Sequence, residues 1–411
     1  MYLNNYQHLK NKETFLFIFL ILFSVLIRIP TIILFGDVSL ENEWRILVDN
    51  LIVHGTLSFR NFDGFLLPNL YMPPLYAYYL YLFSMFNFQE QNYIQLILAS
   101  QILLSSISVV IFYKINKFFF SKKISFYSSI LFSIFPAYVY ACGQISSISL
   151  QIFLTILFFF YFFQFTKKRT IFLVLLFSLT GGLLMLLRGE FIVIIFFSLI
   201  YLNVFFKIPI KKISLIALII TMTIFPYLVR NINIFETVTI TKTLGYNLWK
   251  GNNANSNVEG SEFIGDNLQK KINQIPKDKF YQINSNKIFF DQAILNISEQ
   301  PIRYIILYIK KFFSLLFIDF NSSQPNYYNP LHYIPLFVFG LTSLAGLFVS
   351  NKKSISFNYL ILIFFIYVFL FSFFFILPRY NLVILPLKII FTNSLVEYLI
   401  QKFFKGYEQA R

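Results

Sequence analysis

Apolar segments long enough to cross a lipid bilayer recur along this chain from one end to the other. A transmembrane helix needs about 20 mostly apolar residues, and a window of about 19 residues finds repeated matches instead of a single anchor. Of the 411 residues, 57% are hydrophobic and 13% are charged, whereas about 25% are charged in an ordinary soluble domain. Spans are predicted at residues 14–35, 94–116, 124–141, 148–166, 170–187, 190–206, 212–229, 331–350, 357–377 and 382–400. We therefore predict an all-α polytopic membrane protein, a single domain over residues 1–411, with about ten transmembrane helices and a range of about nine to twelve.

Lysine and arginine residues near the span ends predict which side of the membrane each loop faces. Basic clusters occur on alternate loops, at residues 10–12, 114–123, 167–169, 207–212, 352–353 and 402–405. Because basic loops are retained in the cytoplasm, we expect both termini to be cytoplasmic, in a multi-pass protein of the plasma (inner) membrane. The net charge of +16 follows mostly from this topology, so the lipid bilayer and not nucleic acid is the expected partner.

Two polar regions are left on the opposite, outward side. The first is the loop of residues 36–93, and the second is the stretch of residues 230–330 in the C-terminal half. PPLYAYYLYLFSMF, at residues 73–86, is too short for a full crossing and is typical of a re-entrant or interfacial helix. The second region has no helical apolar period before residues 301–317, which are predicted to form an interfacial helix or a shallow membrane hairpin.

Several kinds of chemistry lack their usual signatures in this sequence. Cys142 is the sole cysteine, so no intramolecular disulfide can form. A Walker loop, GxGxxG, HExxH and metal-spaced Cys or His clusters are all missing from the sequence. Nucleotide-driven and zinc chemistry are therefore not expected.

The densest acidic stretch, GDVSLENEWRILVDNLIVHG at residues 36–55, directly follows the first span. An amphipathic surface helix is predicted there by apolar residues at helical spacing, namely Trp44, Leu47, Val48, Leu51 and Ile52. Ser39 is the predicted N-cap, which places the Asp37 carboxylate just before the positive end of the helix dipole. A capped surface helix kept soluble by its acids is the alternative interpretation.

Short motifs follow one another in a recognisable order. They are Asp37 with Glu41 and Glu43, NLIVHG at 50–55, MPPLY at 72–76, LLRGE at 186–190, NLWKGNN at 247–253 and PRYNLVILP at 378–386. In this order, and in architecture over most of the chain, the sequence resembles the GT-C type polytopic glycosyltransferases, including protein O-mannosyltransferases, aminoarabinose transferases and other bacterial family 39-like proteins. It departs from them in two places. Asp37 is separated from the next acid instead of adjacent to it, and Gly189 replaces a proline between Arg188 and Glu190.

The resemblance implies transfer of a sugar, with inversion, from a polyprenyl-phosphate donor to an acceptor in the cell envelope. The acceptor could be lipid-linked, a glycan or a protein, and the active face is extracytoplasmic. Such a reaction needs a carboxylate to take the acceptor's proton and cations to stabilise the departing phosphate. Asp37 is the predicted base, with Glu41 or Glu43 as a second carboxylate. Asp37 and Glu41 are also candidate ligands for a divalent cation, Mg²⁺ or Mn²⁺.

Three arginines are candidates for binding the donor phosphate. Arg188 and Arg379 lie on short outward loops, against the positive-inside tendency, and a guanidinium binds phosphate through two parallel hydrogen bonds. Arg28 lies inside the first span, just ahead of Pro30, and an intramembrane arginine is a functional candidate by default. Extension of the side chains to lipid headgroups is the alternative for all three.

Candidate substrate contacts come from the outward regions. Trp44 and His54 belong to the acidic stretch, Tyr76 to MPPLY, and Asn252 and Asn253 to NLWKGNN. Amides pair with sugar hydroxyls and aromatic rings stack on sugar faces, although Gly-Asn-Asn is equally a turn signal.

Two other classes of membrane protein remain as alternatives. A transporter or flippase for a lipid-linked glycan would place ionisable residues deep within several spans. A polymerase or ligase of surface polysaccharide would use a similar lipid donor, and fold resemblance alone does not distinguish it.

Overall fold

The structure is a computed structural model that describes residues 2–62, 64–85, 90–324, 329–350 and 354–408. Helices account for nearly all of its regular structure. The helices of the apolar segments are α1 (Tyr2–Phe35), α4 (Glu90–Asn116), α5 (Lys122–Ile134), α6 (Pro136–Ala141), α7 (Ile148–Lys168), α8 (Ile171–Leu187), α9 (Phe191–Val204), α10 (Ile210–Phe235), α15 (Pro330–Val349), α16 (Ile355–Ser372) and α17 (Tyr380–Glu408). The polar regions contain α2 (Asn42–His54), β1 (Ser58–Phe62), β2 (Phe65–Pro68), α3 (Pro74–Ser84), α11 (Leu244–Gly251), α12 (Asp266–Asn273), α13 (Tyr281–Glu299) and α14 (Pro301–Leu316).

Seven of the described helices are long and apolar enough to cross a membrane, namely those of α1, α4, α7, α10, α15, α16 and α17. Helices α8 and α9 are apolar but shorter. The predicted all-α polytopic membrane fold is thus confirmed. The predicted span at 124–141 is divided at Phe135, between α5 and α6. Pro136 has no N–H to donate and disfavours the α conformation of the residue before it, which explains the break.

The basic loops meet at one end of the helix bundle. Lys117 forms an ion pair with Glu13 of α1 at 2.5 Å. Arg169 donates from Nη2 to the carbonyl of Phe206 at 2.9 Å, and its own carbonyl accepts from Lys212 at 2.8 Å. Loops that are far apart in the sequence therefore share one end, as the alternating charge pattern requires.

The two polar regions pack against each other at the other end. Arg230, at the end of α10, donates to the carbonyl of Asn69 at 2.8 Å. The side chain of Gln282 in α13 accepts from the backbone N–H of Leu70 at 2.6 Å, and the N–H of Lys242 donates to the Leu70 carbonyl at 2.8 Å. The segment after the β1–β2 hairpin thus joins both regions into one layer.

Local structure in the polar regions differs from the sequence prediction in three ways. Helix α2 begins at Asn42 with Glu41 as its N-cap, so the prediction of Ser39 as N-cap was wrong. The hairpin of β1 and β2 was not predicted, and α11, α12 and α13 precede the one helix that was predicted there. Helices α11 and α12 have 8 residues each, and the 19 residues of α13 are mostly polar, so none of them contains a long apolar run.

Helices occur at the other positions where the sequence predicts them in these regions. Residues 73–86 contain α3, a helix of only 11 residues, and residues 301–317 contain α14. In α2, Leu47, Val48 and Leu51 are buried, whereas Ile52 is 50% exposed. Three of the predicted apolar positions therefore face the protein, and Ile52 lies at the edge of that face.

Candidate functional site

The loop of residues 142–147, which joins α6 to α7, holds Asp37 in place. The backbone N–H of Asp37 donates to the carbonyl of Gly143 at 2.8 Å, and one carboxylate oxygen accepts from the N–H of Ile145 at 2.6 Å. Glycine is needed at Gly36, where a Cβ would lie 2.4 Å from the Ile32 carbonyl oxygen, whereas a Cβ on Gly143 would make an ordinary contact of 3.4 Å with the Cα of Gly36. The carboxylate is thereby fixed at the end of α1.

The same loop holds Arg188, the residue that follows α8. Its Nη2 donates to the hydroxyl of Ser147 at 3.0 Å, and its Nε donates to the side-chain oxygen of Gln151 at 3.1 Å. Ile145 and Ser147 are two residues apart, so their Cα atoms are separated by at most roughly 7 Å. The predicted base and one predicted phosphate ligand are therefore attached to a single short loop.

The side chain of Gln101 in α4 holds this loop through hydrogen bonds. Its side-chain nitrogen donates to the carbonyls of Cys142 at 3.1 Å and Gln144 at 3.0 Å, and its oxygen accepts from the hydroxyl of Tyr76 at 3.2 Å. Tyr76 packs edge-on against Trp44, with ring centroids 4.8 Å apart. Two predicted substrate residues thus belong to the packing that supports the loop, and Tyr76 is almost completely buried.

Arg379 lies in the same neighbourhood as Arg188. Tyr380, the first residue of α17, lies close enough to Arg379, Arg188 and Glu190 to interact electrostatically with all three. The hydroxyl of Tyr367 in α16 also interacts electrostatically with Arg188 and Glu190. The structure therefore brings together the two arginines that the sequence analysis selected, and adds one carboxylate.

One hydrogen-bond donor in this group has no acceptor. The Nε of Arg379 is buried and has no hydrogen-bond partner within the described residues. A buried donor of a charged group costs more than about 1–3 kcal/mol when it is unpaired. An anionic oxygen is the group that such a guanidinium binds best.

Burial raises the pKa of Asp37, and the negative charge of Glu41 raises it further. The hydrogen bond from Ile145 acts in the opposite direction and offsets part of this effect. A carboxylate whose pKa is moved toward neutrality is a stronger base once ionised, which suits proton abstraction.

The remaining acidic-stretch candidates lie around α2. Glu41 is exposed at the N-cap, and His54 is exposed in the last turn. Glu43 is close enough to Tyr71 to act on it electrostatically. Asp37 and Glu41 form a pair, and no group of three or more His, Cys, Asp or Glu side chains that could hold a metal ion occurs in the described part of the chain. This pair supplies two of the six or more oxygen ligands that such an ion prefers.

Arg28 lies away from this group, inside the helix bundle. Its side chain is completely buried, with Nε donating to Ser105 at 2.9 Å and Nη1 donating to the carbonyls of Ser24 at 3.0 Å and Ser133 at 3.1 Å. Nη2 is buried without a partner among the residues described. Arg28 lies nine positions before Asp37 in the sequence, which corresponds to roughly 13 Å along a helix axis.

Asn252 and Asn253 use their amides within the protein. Asn252 donates to the carbonyl of Phe373 at 2.8 Å and accepts from Lys311 at 3.2 Å. Asn253 donates to the carbonyl of Ser261 at 2.6 Å. Both side chains are buried. NLWKGNN thus ties α11 to the segment that leads into Arg379, and the buried ammonium of Lys311 contacts the same motif.

Sequence reasoning missed the residues that assemble this site. Gln101, Ser147 and Gln151 hold the loop and Arg188, and Glu190 entered only as part of a motif. The available signal was their polarity, since an uncharged amide within an apolar span needs a partner. Alone, this signal does not identify the partner.

Comparison with known proteins gives a match in three-dimensional structure. No protein-family model and no curated protein matches the chain. The archaeal oligosaccharyltransferase AglB from Archaeoglobus fulgidus, solved with an inhibitory peptide and a dolichol-phosphate, is similar over 97% of this chain at 13% identity, with a TM-score of 0.56. An Archaeoglobus fulgidus oligosaccharyltransferase solved with Zn and sulfate is similar over 93% of this chain and 49% of its own length, at 12% identity and a TM-score of 0.56.

The chain has the GT-C fold. It spans about half the length of AglB, since 52% of that chain is covered. ArnT from Cupriavidus metallidurans, bound to undecaprenyl phosphate, is similar over 92% of this chain and 76% of its own length at 9% identity. Its TM-score of 0.45 is too low to support an argument. At 13% identity, the similarity to AglB shows the fold alone.

Proposed function

We propose that this protein transfers a sugar from a polyprenyl-phosphate donor to an acceptor of the cell envelope. The observation that carries the proposal is the shared attachment of Asp37 and Arg188 to the loop of residues 142–147. A base for the acceptor and a cation for the donor phosphate are thereby held at a fixed separation. The dolichol-phosphate bound to AglB is a lipid phosphate of the same class.

In the proposed reaction, the Asp37 carboxylate takes the proton of an acceptor hydroxyl. The hydroxyl oxygen attacks the anomeric carbon of the sugar from the side opposite the phosphate, and the bond between that carbon and the phosphate oxygen breaks. Attack from the opposite side inverts the anomeric configuration. The electron pair stays on the lipid phosphate, whose developing charge is stabilised by Arg188 and by the unpaired Nε of Arg379.

The proposed setting is the plasma membrane, with both termini in the cytoplasm and the site on the extracytoplasmic face. Support comes from the alternating basic loops, which meet at the end opposite the two polar regions. Nucleotide sugars are not supplied on that face, which favours a lipid-linked donor. Because the carboxylates of the first polar region lie next to the first span, a lipid-linked or envelope glycan is the favoured acceptor over a protein.

The decisive experiment measures sugar release from purified polyprenyl-phosphate donor by detergent-solubilised protein. Mass analysis of envelope glycolipids and proteins, with and without the gene, first identifies the sugar and the acceptor. Asp37→Asn keeps the hydrogen bond from Ile145 but removes the base, so transfer should fall by roughly 10²- to 10⁴-fold. Asp49→Asn makes the same chemical change at an exposed position of α2 and should leave transfer unchanged.

Glu41→Gln and Glu43→Gln separate the supporting carboxylates from the base. Loss of transfer in Glu41→Gln with full activity in Asp37→Asn would assign the base to Glu41. Full activity in all three variants would refute the transferase proposal and favour transport of a lipid-linked glycan. A product that grows by many sugars per acceptor would identify a polymerase.

A further inference from the structure

An open groove lies beside α11, α12 and α13, on the polar side of the molecule. Its volume is about 380 Å³, within the range of about 300–1,000 Å³ that small-molecule sites occupy. The lining is rich in side-chain amides, contributed by Asn253, Asn255, Asn267, Gln292 and Asn296. Among the described residues that line it, none is Lys or Arg, and Asp266 is the one charged residue.

The amides differ in whether they are available to a ligand. The side chains of Gln292 and Asn296 bond to each other at 2.9 Å, and Asn296 also donates to the carbonyl of Asn252 at 3.1 Å. The side chains of Asn255 and Asn267 are exposed and have no hydrogen-bond partner within the described part of the chain. One wall of the groove is therefore internally braced, and the other presents free donors and acceptors.

An aromatic side chain completes the lining. Phe263 is 66% exposed at the groove. Exposed aromatic rings pack on apolar faces, and a pyranose has such a face on one side and hydroxyls around its edge. A phenyl ring with surrounding amides matches both parts of a neutral sugar, whereas a phosphate would require a cation.

The base of the groove is rigid. Trp249 is 2% exposed and packs on Phe289 with ring centroids 4.7 Å apart. Both belong to a small hydrophobic core that also contains Leu268 and Ala293. The groove is thus a preformed surface on three packed helices, which reduces the cost of ordering on binding.

Backbone contacts connect the groove to the segment that carries Arg379. The N–H of Ile376 donates to the carbonyl of Val258 at 2.8 Å. A Cβ on Gly251 would lie 2.3 Å from the carbonyl oxygen of Phe374, so the two segments touch at a position that only glycine allows. The Lys250 ammonium lies 4.7 Å from the ring centroid of Phe375. The groove therefore adjoins the site without sharing its charged residues.

We infer that this groove binds one or two units of a neutral saccharide, through Asn255, Asn267 and Phe263. Its identity as the acceptor glycan rests on the proposed function; the binding itself does not. The groove holds the sugars that precede the reacting hydroxyl, and so selects which glycan is extended.

The test uses the fluorescence of Trp249. The chain has two tryptophans, so Trp44→Phe leaves Trp249 as a single reporter at the base of the groove. The detergent-solubilised protein is titrated with methyl glycosides and disaccharides of glucose, galactose, mannose, N-acetylglucosamine and rhamnose, and separately with inorganic phosphate. At least one saccharide should change the fluorescence saturably, and phosphate should not compete with it.

Variants locate the binding. Asn267→Ala and Phe263→Ala should each weaken saccharide binding by about 2- to 10-fold, the effect of losing one net contact. Gln269→Ala, an exposed amide elsewhere on α12 that does not line the groove, should bind as the parent does. No response to any saccharide, competition by phosphate, or equal binding in Asn267→Ala, Phe263→Ala and Gln269→Ala would overturn the inference. If the purified protein binds a saccharide but has no transferase activity, the proposed function is refuted and the inference about the groove stands.

Discussion

Replacing Lys311 with methionine should change how the stability of this protein depends on pH. Lys311 lies in α14, which is not among the described candidate spans, and its side chain is completely buried. Its ammonium donates to the carbonyl of Gly251 at 2.7 Å and to the side chain of Asn252 at 3.2 Å. Desolvation lowers the pKa of Lys311 from 10.5 to about 7.

The size of the expected stability change follows from the lowered pKa of Lys311. The difference of about 3.5 pH units between the unfolded and folded values corresponds to about 5 kcal/mol. Between these two pKa values the unfolded chain holds a proton that the folded protein has released, so the free energy of unfolding rises with pH by about 1.4 kcal/mol per unit. From pH 7.5 to 9.5 the free energy of unfolding of the wild type should rise by about 2–3 kcal/mol relative to that of Lys311→Met.

The assay is reversible unfolding in detergent micelles, followed by circular dichroism across this pH range. The pH-dependent difference is the readout, because Lys311→Met also leaves two acceptors without a donor, at about 1–3 kcal/mol each. Lys310→Met removes an adjacent exposed lysine and should follow the wild-type curve. Parallel curves for wild type and Lys311→Met would refute the reasoning, since they would mean that the buried ammonium keeps an ordinary pKa.

Three further predictions concern the site and its orientation. Arg188→Gln and Arg379→Gln should each weaken phosphate stabilisation and reduce the transfer rate by roughly 10- to 100-fold if the two arginines share the phosphate charge. Arg169→Gln, at the opposite end of the bundle, should leave the transfer rate unchanged. Unchanged kinetics in both Arg188→Gln and Arg379→Gln would mean that these arginines have only a structural role. The transfer rate should rise as the pH passes the raised pKa of Asp37, because only the ionised carboxylate accepts a proton. A rise in rate at the pKa of an ordinary aspartate would show that burial does not raise the pKa of Asp37. Reporters near residues 118, 168 and 209 should be accessible from the cytoplasm and reporters near residues 60 and 260 from outside; an external signal at residue 118 would add a crossing at 73–86.

The spans were predictable because hydropathy is a local property of the chain. A run of apolar residues shows where a helix can cross, and the basic loops show which ends coincide. The break at Phe135 was within reach of the same reasoning, since Pro136 is visible in the sequence. The hairpin and α11 to α13 were not, because short polar elements are stabilised by contacts with distant segments, such as Leu70 with Gln282.

The charged residues of the candidate site could be predicted from the sequence, but the contacts that hold them in place could not. Asp37 was selected from the acidic stretch and the resemblance, and Arg188 and Arg379 were selected because they lie on short outward loops against the positive-inside tendency. Their roles stay predictions. The loop of residues 142–147 binds Asp37 through backbone groups, which every residue has, so its sequence carries little trace of that function. Glu190 and Gln101 could have been suspected from their polarity, but only the fold shows what they face.

The division between α5 and α6 has a consequence for Arg28. Where a helix ends, its last four carbonyls have no intrahelical donor, and one of these, the carbonyl of Ser133, accepts from the Arg28 guanidinium. The proline therefore creates an acceptor for a cation that the bilayer would otherwise exclude. Pro136→Ala would let the helix continue, and the N–H of Ala137 would then compete with Arg28 for that carbonyl. The break between two helices and the charge on a third thus form a single unit.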